Sequence, residues 1–299
     1  MFHDFTYKGA LSAGPRPAWQ IEDIIPPTAM LDFSRPFMPE SLARVGAVHG
    51  LDEVERRILN QVRGHEYLSM FGLVEEFILP FVVDHARPLL NGDDERVRAL
   101  LKFAGEEAKH IHLFRTFQQR FTEGFGAPCG VIGPAEAIGA EILRHDPLAV
   151  ALTILHIEWM SQIHYVESVR DNSDIDPLFK SLLRHHWIEE AQHAKLDTLM
   201  VEALAEGRDA AGIDRAIDEY LEIGMFLDGG LKAQTELNFA AFASATGRIL
   251  SEDALDQQHQ ALRWTYLGSG MVHPNFVATL ASISPAARDR VAAVAPTFC

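Results

Sequence analysis

From Leu51 onward, apolar residues recur at three- and four-residue steps along almost the whole chain. That spacing lines one face of an α-helix. It predicts long helices over 52–87, 95–123, 147–170, 177–206, 211–246 and 252–268, and shorter ones over 274–282 and 285–294. The breaks fall on turn chemistry: "NGDDE" before the second helix, "GFGAPCGVIGP" after it, and "RDNSDIDP" between the third and fourth. No run of strand period and no repeat of solenoid period interrupts the pattern. Residues 1–50 read differently. Prolines in "GPRPAW", "DIIPPTAM" and "FSRPFMPE" predict an extended N-terminal arm laid on the helical body. The expectation is an all-α chain forming a single domain over 1–299: the arm (1–50), a four-helix bundle (51–206) and additional C-terminal helices (207–299).

The informative residues are those that break the apolar faces. In "HHWIEEAQHAK" (185–195), His186, Glu190 and His193 have the i, i+4, i+7 spacing that stacks side chains on one side of a helix. Leu183, Trp187, Ala194, Val201 and Leu204 share that face. Polar groups in an apolar stripe must be paired, hydrogen-bonded or metal-bound, because burying them alone is costly. The second helix repeats the motif in "KFAGEEAKHIHLF". There Glu107 and His110 lie on a face with Leu100, Phe103, Phe114, Phe117 and Phe121. One ExxH pair arises by chance in many charged helices. Two EExxH copies on apolar faces of separate long helices form a specific signal.

A dimetal site in a four-helix bundle takes one further glutamate from each of the other two helices. Glu158, in "ALTILHIEWMSQIHYVES", shares its face with Ile154, Leu155, Tyr165 and Val169. In "EYLSMFGLVEEFILPFVV", Glu75 falls among Leu68, Phe71, Ile78, Leu79 and Val82, while Glu76 falls with His65, Ser69 and Gly72. Glu75 is the preferred ligand and Glu76 the alternative. Four carboxylates neutralise two divalent cations. Oxygen ligands with imidazoles suit iron or manganese, whereas zinc more often takes fewer, tetrahedral ligands. Ligating histidines usually donate their second N–H to a carboxylate. Glu106 is expected to receive His193, and Glu189 to receive His110, across the bundle. Asp197, one turn beyond His193, is a competing acceptor.

With single glutamates on the two other helices, the paired EExxH motifs resemble the ferritin-like diiron carboxylate superfamily. His186 extends the second motif to HxxxExxH, a three-histidine pattern similar to that of the p-aminobenzoate N-oxygenase family. The resemblance rests on roughly residues 65–200. It implies a ferritin-like fold and a metal set of Glu75 (or Glu76), Glu107, His110, Glu158, His186, Glu190 and His193. It further implies two iron ions, with manganese possible in their place, and O₂ as co-substrate. The activity implied is N-oxygenation of an aromatic amine by a homodimer. Electrons would come from an external donor such as a ferredoxin or reductase, since no flavin or iron–sulfur motif is present. Three other readings compete: an oxidase, desaturase or hydroxylase acting on another small molecule, a ferritin-like iron-handling protein, and a helical scaffold without metal.

Charge and composition narrow the setting. The 299 residues carry a formal charge of −16, which argues against nucleic acid, whose phosphates call for basic patches. The longest apolar stretch, "MFGLVEEFILPFVV", is interrupted by Glu75 and Glu76 and is too short to span a bilayer. No signal peptide is read at the N-terminus, and Cys129 and Cys299 allow no disulfide framework, so a soluble cytoplasmic protein is expected. His112, His156, His164 and His185 lie off the ligand faces and read as ordinary surface or core residues, as does Tyr165 within the core. Near the end, "LRWTYLGSGMVHPNF" (262–276) suggests a tight loop capping a pocket, with Arg263 able to meet an anionic substrate; helix termination explains the stretch equally well.

Overall fold

The computed structural model describes residues 2–13 and 19–298. Pro15 and Pro17 of the "GPRPAW" stretch, and Cys299, lie outside them. The described chain is helical throughout, with no strand among those residues. In order it forms α1 (Tyr7–Ala13), α2 (Ile21–Ile24), α3 (Glu40–Ala43), α4 (Glu53–Ala86), α5 (Asp94–Phe125), α6 (Ala135–Leu143), α7 (Pro147–His164), α8 (Pro177–Ala205), α9 (Ala210–Thr246), α10 (Glu252–Arg263), α11 (Ser269–Met271), α12 (Pro274–Ile283) and α13 (Pro285–Val294).

Local chemistry sets the helix starts. Asp52, Asp93, Asp146, Asp176 and Asp209 each accept a backbone N–H of the first turn of α4, α5, α7, α8 and α9, satisfying donors that the helix itself leaves open. At α4 the cap is reciprocal: Asp52 accepts from Glu55 N at 2.9 Å, and Glu55 accepts from Asp52 N at 3.0 Å. α5 and α9 end on Gly126 and Gly247, whose φ values of 77° and 76° lie in the left-handed region open to glycine.

Two antiparallel hairpins make the centre. α4 packs along α5 and α7 along α8, while α9 lies against both α4 and α7. The facing stripes are apolar: Phe71, Phe103, Phe114, Phe117, Ile154, Leu155 and Val201 are all buried. Burying a side chain of this size contributes about 1.5–3 kcal/mol.

Three expectations are corrected. The arm is not simply extended. It carries α1–α3 and is held by its own buried residues Trp19, Phe37, Met38 and Leu42. Asn60 fixes it from α4, accepting from Phe37 N (2.8 Å) and Met38 N (3.0 Å) and donating to Met38 O (2.8 Å). Second, α6 forms just after the "GFGAPCGVIGP" break, where no helix is expected; it seats Gly139 against Phe77 of α4, where an added Cβ would meet Phe77 Cβ at 3.2 Å. Third, residues 264–271 are not a tight loop: a π-helical turn (Trp264–Gly268) carries α10 into α11. Their glycines serve close packing instead, since a Cβ on Gly270 would fall 2.0 Å from His156 Cδ2. α7 likewise continues as a π-helical turn over Tyr165–Val169.

Among the described residues no helix is long and apolar enough to cross a membrane. Cys129 is a free thiol.

Candidate metal centre

Six of the residues read from the sequence converge, as ligating atoms, in the interior of the two hairpins. Glu75, His110, His186 and Glu190 form one group whose ligating atoms all lie within 4.8 Å of one another, and Glu107, His110, Glu190 and His193 form a second. All six residues are buried. Glu190 stands at the middle, with its oxygens 3.0 Å from His110 Nδ1, 3.0 Å from His186 Nε2 and 3.1 Å from His193 Nδ1. Glu107 spans the two EExxH motifs, 2.8 Å from His193 Nδ1 and 3.8 Å from His110 Nδ1. Glu75 reaches the other side, 3.0 Å from His186 Nε2 and 3.6 Å from His110 Nδ1. The third histidine therefore faces the Glu75 end of the cluster.

Glu158 belongs to neither group. It is buried beside Glu190, with Asp197 and Glu107 nearby, and its Oε2 has no hydrogen-bond partner. Glu76, the alternative to Glu75, points away to a partly exposed ion pair with Arg115 at 2.6 Å. A helical wheel separates these two neighbours only weakly; the position of Arg115 on α5 decides between them.

Behind the cluster, the two hairpins orient each other's imidazoles. His110 Nε2 donates to Glu189 at 2.8 Å, and His193 Nε2 donates to Glu106 at 3.1 Å, the cross-pairing read from the sequence. Asp197 does not take that role; both its oxygens are buried without a hydrogen-bond partner. No motif points to what stands behind Glu106 and Glu189. Lys102 Nζ lies 2.5 Å from Glu106, and Lys109 Nζ 2.5 Å from Glu189. Lys109 also sits 3.7 Å from the centre of the Trp19 ring, which stacks over His110 at 5.9 Å. Aromatic rings close the remaining sides: Phe103 stacks on His193 at 4.1 Å, and Phe114 and Phe71 meet His186 at 5.1 and 5.3 Å.

This geometry asks for cations. A carboxylate only accepts, so the protons of His110 and His193 sit on Nε2, and in the neutral ring each Nδ1 turns a lone pair toward other acceptors. Glu75 Oε2 and both oxygens of Glu107 are buried without hydrogen-bond partners. Electrostatics carry the same message. Burial pushes Glu75 upward, reinforced by Glu107, and pushes Glu158 well above the carboxylate range, reinforced by Glu190. Burial disfavours the imidazolium of His110, yet the surrounding carboxylates hold its pKa well above the ordinary value. Burial also lowers His186, but Glu190 and Glu75 raise it to about 9. The acids are thus short of positive charge, and protons make up the difference. Four buried carboxylates and three imidazoles are a ligand set that two divalent cations fit, replacing those protons.

No family model, curated protein or solved structure matches the chain. The metal-binding potential of the cluster therefore rests on its own geometry and charge.

Arg263 lies away from the cluster. It donates to Asp228 at 3.0 Å and packs over the Phe298 ring at 4.6 Å. His156 and His164 are core residues, bonded to Tyr220 (2.8 Å) and to Tyr67 (2.9 Å).

Proposed function

We propose that this chain is a non-haem diiron oxygenase of ferritin-like fold that uses O₂ to oxidise a small molecule. Manganese would satisfy the same ligands. The observation that carries this reading is the pair of ligand groups joined through Glu190, with buried carboxylate oxygens left unpartnered around them. Bound iron would supply the redox chemistry of O₂ activation. The chain's own residues have separable tasks. Glu75, Glu107, Glu158, Glu190, His110, His186 and His193 would hold the metals. Glu106 and Glu189 fix the ring orientation of His193 and His110. Phe71, Phe103 and Phe114 keep water from the reacting volume.

The resemblance of the HxxxExxH and EExxH motifs to the p-aminobenzoate N-oxygenases favours an aromatic amine as substrate. The balance for the first oxygenation is ArNH₂ + O₂ + 2 e⁻ + 2 H⁺ → ArNHOH + H₂O. An external reductase or ferredoxin supplies the two electrons.

Reconstitution with Fe²⁺ under argon, followed by metal analysis, tests the centre; two iron atoms per chain are expected. Admission of O₂ with a reductant and a panel of arylamines then tests the activity, read as O₂ uptake and hydroxylamine formation. A protein that takes up no iron or manganese ends the proposal.

A further inference from the structure

A cavity of about 100 Å³ lies beside the candidate centre, between α4, α7, α9 and the Trp264–Met271 segment. For scale, an apolar cavity of about 150 Å³ holds benzene, and water needs about a tenth of that. Phe71 connects cavity and centre. It sits one turn before Glu75 on α4, lines the cavity, and meets His186 edge to face at 5.3 Å. Most of the wall is hydrocarbon and sulfur, as in Ile157, Met160, Leu231 and Met271. No Lys, Arg, Asp or Glu lines it.

The polar wall groups are few. Thr153 donates to Ala149 O at 3.0 Å and His156 Nδ1 is bonded to Tyr220 Oη at 2.8 Å, while His156 Nε2 and Tyr266 Oη are buried without a hydrogen-bond partner, room for one neutral polar group. Phe226 on α9 also lines the cavity and is 40% exposed, with Met225 beside it 64% exposed, so the approach from solvent is apolar as well. A carboxylate placed here would lose its hydration and find no cation in return.

We infer that this cavity is the substrate chamber, and that it takes an uncharged, largely hydrocarbon molecule: a single ring or short alkyl chain bearing at most one neutral polar group. Among arylamines it selects alkylanilines and excludes aminobenzoates. The inference rests on the proposed oxygenase for its chemistry, but the binding does not require metal.

Calorimetric titration of metal-free and iron-loaded protein with ethylbenzene, 4-ethylaniline and 4-aminobenzoate tests it. The two uncharged probes should bind both forms, and 4-aminobenzoate should bind at least ~100-fold more weakly. Gly224→Leu fills the chamber. The first added carbon would stand 3.9 Å from Met271 Cε, an ordinary contact, so the helix tolerates it. This variant should lose at least ~10-fold in affinity for the uncharged probes, with unchanged circular dichroism and iron content. Gly229→Leu, where an added Cβ meets nothing within 4 Å, should bind like the parent. Equal affinity for 4-aminobenzoate, or undiminished binding by Gly224→Leu, overturns the inference. Iron content reports separately on the metal reading: iron uptake without probe binding sinks the chamber alone, and probe binding without iron uptake sinks the oxygenase alone.

Discussion

Arg63 and Glu66 lie one turn apart on α4, and Glu75 follows farther along the same helix; all three are sealed from water. At the first place the chain supplies its own counter-charge. The Arg63 guanidinium pairs with Glu66, Asn238 donates to the same carboxylate, and the Tyr266 ring covers the cation. One acid meets one base. Around Glu75 the arithmetic differs, because four buried glutamates, with Asp197 among them, have only histidines as counter-charge, and histidines are neutral unless something protonates them. A buried acid matched by arginine holds a structure together. Buried acids in excess make a place that could hold cations from outside.

Removing the internal cation should have the largest effect. Arg63→Met leaves Glu66 buried and unpaired, and should cost about 3–5 kcal/mol in urea unfolding while the folded fraction keeps its iron. Arg63→Met/Glu66→Leu should recover most of that loss. A single variant as stable as the parent would erase the contrast between the two places.

At the cluster, the missing stabilisation should arrive with metal. Fe²⁺ at 100 times its Kd should add about 2.7 kcal/mol, seen as a rise in the unfolding midpoint. Glu107→Gln should abolish that rise and reduce iron from two per chain to at most one, with the metal-free protein no less stable than the parent. If its metal-free form unfolds readily, Glu107 is structural after all. Smaller again are the orienting carboxylates. Glu106→Ala and Glu189→Ala should each weaken metal affinity about 10–100-fold in a competition titration.

Histidines outside the cluster sharpen the comparison through pH. Burial lowers His164 to about 3 and His65 to about 4, with no carboxylate to oppose it. Unfolding lets these rings bind protons near pH 6.5, so stability is complete above that value and falls as pH drops toward 4, by at most about 1.4 kcal/mol per unit for each ring. His164→Gln should flatten the curve; an unchanged slope would mean that His164 is protonated when folded. The smallest effect belongs to Glu76→Gln. It removes a partly exposed pair with Arg115 and should shift stability by less than about 1 kcal/mol, with iron content unaltered.

The long helices were legible because a 3.6-residue period sustained over thirty residues leaves little choice, and an aspartate stands just before each of α4, α5, α7, α8 and α9. α1, α3 and α6 were not. Such short pieces owe their existence to what they pack against; α12 and α13, ten residues each, were legible because Pro274 and Pro285 mark their first turns. The same divide runs through the site. His186, Glu190 and His193 announced themselves as the wrong residue types for an apolar face. Lys102, Lys109 and Trp19 did not, because what matters about them is a distance: 2.5 Å from Lys109 to Glu189 across eighty residues of chain, and 3.7 Å from Lys109 to a tryptophan in the arm. The glycines of 268–270 are a related case. They signalled a turn, whereas their use is to let one helix come close to another.

The crossed bonds from His110 to Glu189 and from His193 to Glu106 make each half of the bundle the jig for the other. A chain severed between α5 and α7 would yield two fragments, each with an EExxH motif whose imidazole swings freely. Neither fragment alone would offer a stiff socket. Ion capture would begin only when the fragments clasp, so it would serve as a clock for the final step of assembly.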